Sequence, residues 1–177
     1  MQDQKTENWI KWIALTTAVM AVFAAVTTLY IGKYSSRAIL DQGQETDQWA
    51  YYQAKSIKSH TYELQKQKLQ IELLCQPALS KQATDKYREV LDIYDKTIKR
   101  YDKEKDEIKA TAEALAKDKH LAQKRAGNFG YSLIFLQIGI MLSSIAALTK
   151  EKRLWYLGLV ISAGWVFYFL DAIYLFY

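Results

Sequence analysis

Few residues in this chain are suited to chemistry. It holds two histidines, His60 and His120, and a single cysteine, Cys75. A metal site needs several such ligands converging, and a nucleophile needs a base beside it. No paired-histidine motif, serine elbow or glycine-rich phosphate loop accompanies them. His60 reads as a partly exposed polar residue flanking a helical seam. Cys75 reads as a small apolar position or as a link between neighbouring protomers. Carboxylates are plentiful but mixed with Lys and Arg along helical faces, where solvation is the default. The expectation is a non-enzyme with no catalytic residue, no cofactor and no metal ligand. Two polar groups inside apolar stretches remain, Gln137 and Asp171. A mid-span glutamine bonds a neighbouring helix, worth about 0.6–2 kcal/mol. An ionisable group in a span, such as Asp171, is a functional candidate by default.

The elements that carry these residues divide sharply by polarity. The chain has 177 residues and a net charge of +5; both ends are apolar and the middle is charged. After a polar lead, 1–11, residues 12–31 carry no charge. Twenty helical residues span about 30 Å, the thickness of a bilayer core. A secretory signal would be shorter and end in a cleavage site, so the stretch is expected to be a retained transmembrane helix, 12–32. Two more apolar spans follow, 130–149 and 154–177, joined by a short basic loop, 150–153. Gly127-Asn-Phe-Gly130 reads as a bend or a membrane entry.

Between the first and second spans lies a charged run, 33–129, with 19 Lys and Arg against 15 Asp and Glu. Mixed signs without a basic stripe argue against nucleic-acid binding. Its one proline, Pro77, sits near the middle. Ala50, Ile57, Leu64 and Ile71 precede it at seven-residue spacing. Tyr87, Tyr94, Tyr101, Ile108 and Leu115 follow it at the same spacing. Such a repeat marks helices that pair along a seam. Folding at the proline sets Ile71 level with Tyr87, Leu64 with Tyr94, Ile57 with Tyr101 and Ala50 with Ile108. The prediction is an antiparallel, coiled-coil-like hairpin with its tip at 76–82, its return helix capped by Ser80 or Thr84. The second seam column is weak: Asp47, Ala54, Thr61, Lys68 and Cys75 on the outgoing arm. Further helices are expected to pack against such a hairpin. Trp49, Tyr52 and Ser56 share a face off the proposed seam and form a candidate interaction surface.

The strings Asp47-Gln-Trp-Ala-Tyr-Tyr-Gln-Ala-Lys-Ser-Ile-Lys58 and Tyr101-Asp-Lys-Glu-Lys-Asp-Glu-Ile108 resemble a family of bacterial membrane proteins. So do Leu136-Gln-Ile-Gly-Ile140 and Ala147-Leu-Thr149. It is the domain-of-unknown-function family numbered 4337. The resemblance runs over nearly the whole chain and implies a membrane location and this architecture. It carries no activity and no catalytic residues.

The expected fold class is thus an all-α membrane protein, with three transmembrane helices and a long hairpin between the first and second. The expected function is a membrane-embedded scaffold, with the bilayer and either sister copies or another membrane protein as partners. The alternative is an oligomeric channel or transporter subunit, drawing on Gln137, Asp171, Thr16, Thr17, Thr27 and Thr28. The place is the inner, cytoplasmic membrane of a bacterium. Positive charge in short loops orients spans more reliably than charge on long segments. The Lys150-Glu-Lys-Arg153 loop therefore points to a cytoplasmic amino terminus and a hairpin on the other side.

Overall fold

The computed structural model describes residues 2–75 and 80–176, with side chains from Trp9 onward. Three helices account for nearly all of it: α1 (Gln2–Cys75), α2 (Lys81–Thr149) and α3 (Lys152–Tyr174). All three are long and apolar enough to cross a membrane. The contacts divide into two compact units, one of Met1–Leu40 with Asp118–Tyr177, the other of Asp41–Lys117.

Helix α1 is unbroken because nothing in it breaks helix. Gly32 and Gly43 are its only glycines, and an isolated helical glycine costs about 1 kcal/mol against alanine. Gly127-Asn-Phe-Gly130, expected as a bend or a membrane entry, does not interrupt the helix; α2 is continuous through it. Phe129 is fully buried there and holds the turn in place. Pro77 and most of the expected tip, 76–79, lie outside the described residues. Beyond them Ser80 starts α2: its Oγ accepts from the Ala83 amide at 3.2 Å, and its carbonyl accepts from the Thr84 amide at 3.0 Å. This satisfies donors that a helix start leaves open.

The unit Asp41–Lys117 is the pair of antiparallel arms. Their axial register follows the expectation closely. Lys55 meets Glu104, Lys66 meets Asp95, and the Tyr62 ring touches both Tyr94 and Tyr101. The rotation of the outgoing arm does not follow it. Ile57, Leu64 and Ile71 are 68%, 67% and 61% exposed, and Ala50 is exposed too. Facing the return arm instead are two other heptad columns, Gln48-Lys55-Tyr62-Leu69 and Tyr52-Ser59-Lys66-Leu73, all buried or half-buried. Each lies two residues from the predicted column, about 200° around a helix at about 100° per residue. The predicted seam column is therefore the outer face. The reason lies in the return arm. Its inward column is Tyr87, Tyr94, Tyr101, Ile108 and Leu115, with Ile108 at 7% exposure and the others half-buried. Tyrosines there are matched by a tyrosine and by lysine stems, whose ammonium groups reach acids at the seam's edge. Aliphatic side chains would leave those phenols and acids without partners.

The other unit packs three helical segments together. Helices α2 and α3 are joined by a tight turn in which Lys150 takes the left-handed conformation, φ 58°. They approach closely at two glycines. A Cβ on Gly158 would stand 3.0 Å from the Gly139 carbonyl oxygen and 3.2 Å from Leu142 Cβ. Near the chain's first turns, Trp9, Ile13 and Ala146 form a small core flanked by Leu154 and Trp155.

Candidate interaction surfaces

On the paired arms, charge is used at the seam's edges. Lys55 Nζ lies 2.6 Å from Glu104 Oε2, with 5.3 Å to the Tyr101 ring and 5.2 Å to Tyr51. The Lys55 bond holds the Glu104 carboxyl below the usual range. Glu104 in turn pushes the Lys55 ammonium up, with Tyr51 adding to it. Lys66 Nζ meets Asp95 Oδ1 at 2.5 Å. Lys105 is raised by its Asp102 neighbour at 2.8 Å, and Lys96 by Asp92 at 2.6 Å. Lys55–Glu104 and Lys66–Asp95 cross between the arms, whereas the other two pairs lie within α2; exposed pairs of this kind add only about 0.2–1 kcal/mol each.

The outer face is a different surface. Ala50, Ile57, Leu64 and Ile71 form one exposed column with seven-residue spacing, and Leu74 beside them is 81% exposed. Trp49 and Tyr52, expected to be free aromatics, are half-buried and pack edge to face with centroids 5.7 Å apart. Tyr52 belongs to an inward column; Trp49 and Ser56 flank it and are half-buried. The largest exposed apolar column is thus elsewhere than at Trp49.

In the three-helix unit, several polar side chains bond across helices, while the buried hydroxyls of Thr17 and Ser143 have no hydrogen-bond partner. Trp155 Nε1 donates to Thr16 Oγ1 at 3.2 Å, and Trp165 Nε1 donates to Thr27 Oγ1 at 3.0 Å. Thr27 is fully buried and itself donates to the Phe23 carbonyl at 2.8 Å. Asp171 is buried, and Asn128 Nδ2 donates to its Oδ2 at 2.6 Å. Gln137 sits on an exposed face of α2, away from these pairs. The tryptophan–threonine contacts were not foreseeable singly. Their signal is spacing: Thr16 to Thr27 and Trp155 to Trp165 are nearly equal steps, as two parallel helices in register require.

Among the described residues, no three His, Cys, Asp or Glu side chains come together as a metal site. Cys75 is exposed at the end of α1. His60 is exposed, with Nδ1 2.8 Å from Glu63 Oε2.

Residues 9–175 match the model of a family described as a domain of unknown function, DUF4337, and the chain belongs to that family. Neither a curated protein nor a solved structure matches it.

Proposed function

We propose that this family member is a multi-pass protein of a bacterial cytoplasmic membrane, a scaffold without catalysis of its own that associates with copies of itself through the outer face of its outgoing arm. The observation that carries this reading is the exposed column Ala50, Ile57, Leu64 and Ile71. A polar, charged arm gains nothing by displaying aliphatic residues at heptad spacing to water. An exposed aliphatic column at heptad spacing is the pattern of a helix that pairs along a seam.

A second copy fits the column best. Copies inserted the same way in one bilayer are related by rotation about the membrane normal, so their outgoing arms run parallel. Identical residues then meet: Ile57 with its counterpart, Leu64 with its counterpart. The flanking pairs across such a seam are Gln53 with Lys58, His60 with Gln65 and Gln67 with Glu72, and none sets like charges together. Asp47, Thr61 and Lys68 in the neighbouring column keep the association weak. Trp49, Tyr52 and Ser56 supply a second, half-buried edge for another membrane protein.

A channel or transporter subunit is the alternative. It draws on polar groups in the spans; of these the Thr17 hydroxyl is buried without a hydrogen-bond partner and Gln137 is exposed, while Thr16, Thr27 and Asp171 are engaged by Trp155, Trp165 and Asn128. That use as internal packing favours the scaffold.

The test is mass by light scattering in mild detergent over a concentration series. Wild type should rise above the protomer mass, while Ile57→Lys with Leu64→Lys stays at it. A wild type that remains a protomer throughout, and yields no product on cross-linking in native membranes, overturns the proposal.

A further inference from the structure

We propose that the groove between α1 and α2, where both helices leave their apolar stretches, binds the phosphate headgroup of an anionic phospholipid. The groove holds about 610 Å³. Lys33, Tyr34 and Arg37 line it from α1, and Asp118 and Arg125 from α2. Three cations against one carboxylate give it a positive balance. Leu40 and Leu121 wall it further along the two helices.

Depth sets the ligand class, and this part rests on the membrane-spanning reading above. The apolar run of α1 ends at Ile31 and that of α2 begins at Tyr131. At 1.5 Å per residue, Lys33, Arg37 and Arg125 stand about 3–9 Å beyond the hydrocarbon edge. The headgroup layer of one leaflet is about 5–8 Å deep, so Lys33 lies within it and Arg37 and Arg125 at its outer edge, within reach of their long side chains. Basic grooves between spans at that level take lipid phosphates.

The cations are pre-positioned. Arg125 Nη1 donates to the Tyr34 hydroxyl at 3.2 Å, and its guanidinium lies 5.5 Å from the centre of the Tyr34 ring. Lys33 Nζ lies 5.7 Å from the same ring centre. The Tyr34 ring is fixed in turn by Phe129, with centroids 5.7 Å apart. A guanidinium bonded through one Nη1 hydrogen keeps its other N–H groups for phosphate oxygens. Tyr34 therefore acts as the post that holds both Lys33 and Arg125 over the groove.

The experiment is native mass spectrometry of the full chain from mixed micelles, titrated with phosphatidylglycerol or with phosphatidylcholine of the same acyl chains. Wild type should retain phosphatidylglycerol preferentially. Lys33→Gln with Arg125→Gln should lower that retention about tenfold or more, since each cation near an anionic surface contributes about fivefold. Lys150→Gln with Lys152→Gln, an equal charge change at the opposite end of the spans, should lower it by a clearly smaller factor, and a loss there as large as at the groove overturns the site. Equal retention of the two lipids by wild type, or a Lys33/Arg125 variant that holds phosphatidylglycerol as well as wild type, overturns the site. Inorganic phosphate added to protein in phosphatidylcholine separates the sources. Saturable binding of phosphate, lost in the variant and displacing phosphatidylglycerol, overturns the lipid assignment in favour of a free anion. Flotation on neutral phosphatidylcholine vesicles keeps the two readings apart: a wild type that does not float fails the membrane reading, and chains that float without a lipid preference fail this one alone.

Discussion

Lys55 and Glu104 are 49 positions apart in sequence and 2.6 Å apart at their charged ends, the Lys55 ammonium flanked by the Tyr51 and Tyr101 rings. Together with Lys66–Asp95 and the Tyr62 ring against Tyr94 and Tyr101, this contact defines the axial register of the two arms. It also gives the pair a pH dependence. Glu104 is held below its ordinary value by Lys55, so its contribution is complete above the unfolded value of about 4.3 and fades as pH falls through the depressed one. Lys55 is raised, so its contribution is complete below about 10.4 and fades as pH rises through the higher folded value. Thermal melts by circular dichroism should show Glu104→Gln less stable than wild type at pH 7. The difference should shrink below pH ~4. A gap that persists in acid would assign the contact's effect to packing rather than charge.

The reversed rotation of the outgoing arm predicts an unusual ranking of substitutions. Measured in detergent at a dilution where light scattering gives the protomer mass, Ile57→Ala should change stability by less than about 0.5 kcal/mol, as exposed positions do. Tyr62→Ala should cost about 1–3 kcal/mol, because the ring packs on both Tyr94 and Tyr101. A larger loss at Ile57 than at Tyr62 would return the seam to the aliphatic column.

Much of the architecture was legible because it follows from period and polarity. Three apolar stretches and a heptad repeat lead to three long helices and an antiparallel pair in near-correct register. Which face of the outgoing arm turns inward was not legible. Columns at the same seven-residue spacing compete on opposite faces of that helix, and aliphatic content favours the wrong face. The winning face is set by tyrosines and lysines whose partners, Tyr94, Tyr101, Glu104 and Asp95, are on the other arm. The unbroken passage through Gly127 and Gly130 was hidden for a similar reason. Glycine is read as punctuation, but burial of Phe129 between them holds the helix.

The glycines separate into two classes. Around Gly43 and Gly127 there is nothing within 4 Å of an added Cβ, so Gly→Ala there should stabilise by about 0.5–1 kcal/mol through helix propensity. At Gly158 the Cβ would press on the Gly139 carbonyl, and at Gly164 it would stand 2.8 Å from Phe135 Cδ1. Gly158→Val should cost about 1–3 kcal/mol as α2 and α3 are forced apart. Denaturation in detergent, followed by tryptophan fluorescence, measures both. Equal effects at Gly127 and Gly158 would deny the close helix approach its role.

Orientation is testable through Cys75, the chain's single thiol, which is exposed. If the amino terminus is cytoplasmic, a membrane-impermeant maleimide should label Cys75 in cells whose outer membrane is permeabilised. Labelling that requires lysis of the inner membrane, with a Ser80→Cys variant behaving alike, would reverse the topology.

Self-association through the outer face of the outgoing arm is tested most directly by a disulfide scan in native membranes. Single cysteines replace residues 53–60 in turn, in a Cys75→Ser background, and mild oxidation follows. Parallel pairing of sister copies predicts covalent dimer strongest at Ile57→Cys, substantial at Ala54→Cys, and minimal at Lys55→Cys and Ser59→Cys, which face the return arm. Dimer yield spread evenly over all eight positions, or absent at position 57 while the chain is present at its native level, would contradict it.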